Sequence, residues 1–65
     1  MEKYQVIKIE RNYIETKNFE NLENALKIFE TFVRRAEREE ELNITKAVYL
    51  TDNGRIKASW EKQTH

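Results

Sequence analysis

Hydrophobic residues change their spacing twice along this chain, and each change marks a boundary between elements. The middle carries the plainest pattern. From Leu22 the apolar positions are Leu22, Ala25, Leu26, Phe29, Phe32, Val33 and Ala36, the spacing of one helical face. Asn21 stands where an N-cap belongs, and Glu23 in the first turn suits the positive end of the helix dipole. Phe19, just ahead of the cap, is placed to fold back on the first turn. The spacing predicts an amphipathic helix over about residues 22–41, roughly 30 Å long at ~1.5 Å per residue.

Either side of the helix the period is that of strands. Near the C-terminal end, Asp52-Asn53-Gly54 separates two β-like runs and reads as a hairpin turn. A two-residue loop of Asn53 and Gly54 would pair Leu50 with Lys57 and Val48 with Ser59. A three-residue loop pairs Leu50 with Ile56, Val48 with Ala58 and Lys46 with Trp60. A slip of one residue moves every side chain to the other face, so the hydrophobic pattern selects the three-residue loop. Gly54 then occupies the position that demands a positive φ, and Trp60 is a core anchor beside Ile56 and Ala58.

The N-terminal run YQVIKIE is a strand with Ile7 and Ile9 on one face and Tyr4, Val6 and Lys8 on the other. A turn at Arg11-Asn12 pairs Ile9 with Ile14 and Lys8 with Glu15, both sensible cross-strand couples. The order is then β-β-α-β-β; one long N-terminal strand would give β-α-β-β instead. Either way residues 1–65 form a single α+β domain, a small antiparallel sheet with one amphipathic helix packed on one face. The expected core is Ile7, Ile9, Ile14, Leu22, Leu26, Phe29, Phe32, Val33, Val48, Leu50, Ile56 and Trp60.

Composition narrows the function classes. Sixty-five residues leave no room for a second core, and small folds of this kind need a staple, a partner or near-ideal packing. The chain has no cysteine and one histidine, His65, so disulfides and the usual zinc sets are excluded. Twelve basic and twelve acidic residues cancel, which argues against both an acidic nucleic-acid mimic and a strongly basic nucleic-acid binder. No apolar run approaches the ~20 residues of a membrane span and no signal-peptide pattern opens the chain, so a soluble cytoplasmic protein is expected. The bias toward Lys, Glu, Asn and Ile with no proline suits an A/T-rich bacterial or phage gene.

Catalytic chemistry finds no foothold. The single glycine rules out a glycine-rich phosphate loop, and Ser59 has no recognisable base near it. No catalytic residue, cofactor or metal site is therefore expected. The run Glu39-Glu40-Glu41, with Glu37, reads as a solvated helix end offset by Arg35 and Arg38, or as an acidic knob for a basic partner. Lys27, Arg34, Arg35 and Arg38 form a ridge on the outward helix face that could hold phosphates. The ordinary reading is a solvated face, on which Lys27 and Arg34 are mates of Glu23 and Glu30 in i,i+4 pairs.

The sheet face turned away from the helix carries the functional expectation. In the pairing above it presents Tyr4, Val6, Tyr13, Ala47 and Tyr49, rimmed by Lys8, Glu15, Lys17, Arg55 and Lys57. One helix cannot cover both faces of a sheet, and tyrosine is enriched at interface centres. The sequence thus points to a non-catalytic protein-interaction module, a homodimer or a small modulator of a larger protein, with Tyr4, Tyr13, Tyr49 and Lys57 as partner-binding residues. The alternative is a nucleic-acid-binding protein that uses the helix ridge or stacks bases on the aromatic sheet face.

Overall fold

The computed structural model describes residues 3–38 and 45–62. Five elements follow one another: β1 (Tyr4–Glu10), β2 (Ile14–Phe19), α1 (Leu22–Arg38), β3 (Thr45–Asp52) and β4 (Arg55–Glu61). The first of the two expected orders, β-β-α-β-β, is the one adopted. All strands join one antiparallel sheet in the order β2-β1-β3-β4, so β1 and β3 are central and β2 and β4 are edges. The expected helical turn over 39–41, the acidic run Glu39-Glu40-Glu41 and His65 lie outside the described residues.

The helix starts where its cap dictates. Asn21 Oδ1 accepts the backbone N–H of Glu23 at 2.7 Å and that of Asn24 at 3.4 Å. This supplies partners for two of the N–H groups that a helix start leaves unpaired. Ala25, Phe32 and Ala36 are buried on the sheet side, with Leu22, Leu26, Ile28, Phe29 and Val33 half-buried around them.

The two hairpins were not equally legible. The first has the expected register, with Ile9 opposite Ile14 and Lys8 opposite Glu15. Its turn is closed by the Glu10 N–H, which donates to the Tyr13 carbonyl at 2.9 Å. The second departs from expectation. Asn53 (φ 55°) and Gly54 (φ 85°) both lie in the left-handed region, and Asp52 pairs directly with Arg55. This is a two-residue turn whose twist matches that of the strands it joins. A bulge then leaves Lys57 without a partner and shifts the register by one, so that Leu50 pairs with Ala58 and Val48 with Trp60. The three-residue loop is replaced by a tighter turn plus a bulge. Trp60 and Ala58 keep the helix side, whereas Ile56 pairs with Thr51 and leaves it.

The central correction concerns β1. Val6 is fully buried beside Val48 and Leu50, and Tyr4 packs against the same cluster. Lys8 reaches over the Phe32 ring, with its Nζ 4.5 Å from the ring centroid. The residues expected outside are therefore inside. Ile7 and Ile9 face the other way, and with them Ile14, their neighbour on β2. The reason is the pairing of the two central strands: Val6 lies opposite Leu50 and Lys8 opposite Val48. Partners directly opposite share a face, so the buried pair on β3 selects Val6 and Lys8 on β1.

Candidate functional site

The helix covers one face of the sheet and leaves the other open. Alternation along each strand and the pairing between strands assign its side chains. From β1 come Gln5, Ile7 and Ile9, and from β2 Ile14, Thr16 and Asn18. From β3 come Ala47, Tyr49 and Thr51, and from β4 Ile56, Ser59 and Glu61. Glu61 is the one charged side chain among these twelve paired positions, in a chain that is 37% charged. Ile14 and Ile56, on opposite edges, are 62% and 65% exposed, and half-buried Ile7, Ile9 and Tyr49 lie between them. Charge depletion around an aliphatic and aromatic centre distinguishes the core of a protein interface from ordinary surface.

Two cross-strand hydrogen bonds tie polar groups on this face, while the buried Thr51 Oγ1 has no hydrogen-bond partner among the described residues. Gln5 Nε2 donates to Asn18 Oδ1 at 3.0 Å across β1 and β2. The Tyr49 hydroxyl donates to Glu61 Oε1 at 3.0 Å across β3 and β4. That hydrogen bond first, with burial and the carboxylate charge behind it, pushes the Tyr49 phenol above its ordinary value.

The three tyrosines do not share a face. Tyr49 is central on the open side, but Tyr4 belongs to the core. Tyr13 is 57% exposed at the first hairpin, and its phenol is raised by the charge of Glu10, then by burial and a hydrogen bond to Glu10. It therefore joins the ionic group of Lys8, Glu10 and Glu15 on the helix side of the sheet. There Lys8 Nζ lies 2.9 Å from Glu10 and 3.3 Å from Glu15, and Lys17 Nζ lies 3.5 Å from Glu15. Lys57 is exposed at the β4 bulge. Of the sequence-derived partner residues, the fold thus brings only Tyr49 to the centre of the open face. Ile7 and Ile9, which hold that centre, belong to the core in the sequence-based expectation and face the open side in the structure. Their signal was present, because β1 is apolar on both sides, with Tyr4 and Val6 on one and Ile7 and Ile9 on the other.

The helix ridge is assembled as expected in one respect: Lys27, Arg34, Arg35 and Arg38 are all exposed on α1. Lys27 lies 4.0 Å from Glu23, whereas no Glu30–Arg34 ion pair forms among the described residues. A shallow polar depression of about 450 Å³ is lined by Lys3, Asp52, Asn53 and Arg55 beside the second turn. Lys3 holds that turn through its carbonyl, which accepts the Asn53 N–H at 2.9 Å, and through an ion pair with Asp52 at 3.6 Å. Among the described residues no group of three or more His, Cys, Asp or Glu side chains is placed to hold a metal ion. No helix among them is long and apolar enough to cross a membrane. Compared with known proteins, the chain matches no family model, no curated protein and no solved structure.

Proposed function

We propose that this chain is a small, non-catalytic, cytoplasmic protein-interaction module that binds through the open face of its sheet. One observation carries the reading: a sheet face that the described residues leave uncovered, with an aliphatic centre and a single charge among its paired positions in an otherwise charge-rich chain. Solvation alone does not call for four isoleucines and a tyrosine on the side that the helix leaves bare. Ile7, Ile9 and Tyr49 form the centre of the site, and Ile14 and Ile56 extend it to the two edges. The cytoplasmic placement draws on the cysteine-free composition, which needs no oxidising compartment.

The test is capture from a lysate treated or untreated with nuclease, using wild type and Tyr49→Ala. Binding that survives nuclease and weakens by ~10-fold or more in Tyr49→Ala, with unchanged far-ultraviolet circular dichroism, supports the reading. Equal capture by the two forms removes the open face from the argument. The nucleic-acid alternative rests on the exposed ridge of Lys27, Arg34, Arg35 and Arg38, and it predicts the opposite pattern. Capture would vanish with nuclease, fall steeply with salt and respond to Arg34→Ala instead of Tyr49→Ala.

A further inference from the structure

The two central strands are apolar on both sides. β1 places Val6 toward the helix and Ile7 and Ile9 away from it; β3 places Val48 and Leu50 toward the helix and Ala47 and Tyr49 away. An antiparallel sheet with one wet face shows clean alternation of apolar and polar positions, while strands covered on both sides read as near-continuous apolar runs. The edge strands behave differently. On the open side β2 offers Thr16 and Asn18 beside Ile14, and β4 offers Ser59 and Glu61 beside Ile56. The sheet is thus built for a second layer that matches it in shape: apolar along the middle and at Ile14 and Ile56, otherwise polar toward the rim.

We infer that this second layer is another copy of the same chain, packed open face to open face about a two-fold axis near the Ile7–Tyr49 pair. The inference rests on the open-face reading above and names its occupant. Charge is the first argument. A partner of opposite charge would be met by a charged surface, yet among the paired positions of this face only Glu61 is charged, and its carboxylate already accepts from Tyr49. A largely uncharged apolar face has little electrostatic preference for a foreign surface and little repulsion toward its own image. In an isologous contact each patch must complement itself, and a neutral apolar patch meets that condition.

Size is the second argument. Four strands at ~4.8 Å spacing and about six residues at ~3.3 Å rise give roughly 400 Å² of plan area per sheet. Side-chain relief raises the accessible area toward the ~600 Å² per partner at which specific interfaces begin. Such a contact suits a modest dimer of two small identical domains, with dissociation constants in the micromolar range. The product would be four layers, helix, sheet, sheet and helix, with the two sheets about 10 Å apart. It would give each copy a second core beside the one centred on Val6, Val48 and Leu50.

The experiment is sedimentation equilibrium of the full chain from about 10 µM to 1 mM, the range appropriate to an interface of this size. The mass should rise from 7.9 kDa toward twice that value. Ile14→Lys and Ile56→Lys should each weaken association ~100-fold, because every substitution enters the interface twice. Both positions are well exposed on edge strands, so these changes leave folding intact, which circular dichroism checks. Lys27→Glu on the helix should have no effect. Concentration-dependent amide shifts in the wild type, centred on Ile7 and Tyr49, give the same answer without any variant. A wild type that stays at 7.9 kDa throughout overturns the inference, as does a dimer indifferent to both lysine substitutions. The broader reading is judged separately: if the monomeric wild type captures a protein that Ile14→Lys and Ile56→Lys lose, the face binds another chain.

Discussion

At the scale of single residues, Lys8 shows how a charged side chain comes to lie on the buried face of a strand. Its ammonium lies over the Phe32 ring and also meets Glu10 and Glu15, so one charge is shared between an aromatic face and two carboxylates. Burial acts to lower its pKa, but hydrogen bonds to Glu10 and Glu15 and their charges outweigh that and hold it above the ordinary 10.5. Lys8→Ala removes the stem and the charge together and should destabilise the fold by about 1–2 kcal/mol in urea denaturation. Lys8→Met keeps the stem and should cost measurably less. Glu15 is held below its ordinary 4.5, chiefly by its hydrogen bond from Lys8. Its contribution is complete above that value and is lost as pH falls through the lowered folded value. For Lys8 the sign is reversed: the contribution is complete below 10.5 and is lost as pH rises through the raised folded value. Stability measured against pH should therefore fall on the acid side, and Glu15→Gln should flatten that limb. An acid limb of unchanged slope in Glu15→Gln would remove the pair from the account.

At the scale of elements, turns and pairing decide which residues reach the open face. Asn53-Gly54 is a strong hairpin signal, and both residues adopt the positive φ that a tight two-residue turn requires. An added Cβ at Gly54 would meet nothing within 4 Å, so Gly54→Ala isolates the backbone term. It should cost about 1 kcal/mol or more, read as a lower midpoint with an unchanged denaturant slope. The helix was legible because its apolar stripe and its Asn21 cap agree on where it begins. The first hairpin was legible because Ile9–Ile14 and Lys8–Glu15 are good pairs whichever face they occupy. The bulge at Lys57 was not legible, since the sequence offers two simple loop lengths and the chain takes one of them with a later one-residue correction. The two-residue turn sends Ile56 to the open side, and that correction keeps Ala58 and Trp60 on the helix side.

For the whole molecule, the question is what a 65-residue chain does with two apolar sheet faces and one helix. Val6, Val48 and Leu50 are the largest fully buried side chains, a small core for a domain that must offset its own chain entropy. If a second copy covers the open face, association and folding are linked, and the melting temperature should rise with protein concentration. Ile56→Lys should then melt at one temperature across the same range, close to that of dilute wild type. A wild-type melting temperature independent of concentration would argue for a domain that stands alone.

The sequence by itself determined the helix, the C-terminal hairpin and most of the helix-side core, and it narrowed the order of elements to two. These follow from period, capping and turn chemistry, which act between residues a few positions apart. It also settled that Gly54 takes a positive φ, and that Ile9 meets Ile14 if the N-terminal run folds as a hairpin. Which face of β1 is buried was decided only by the tertiary structure. Within YQVIKIE both alternate sets are apolar enough to be buried, so local pattern has no means of choosing between them. The choice comes from the distant strand β3, whose Val48 and Leu50 face the helix and require Lys8 and Val6 opposite them. Because strand alternation has a period of two, that single pairing sends Tyr4 to the core and Ile7 and Ile9 to the open face together.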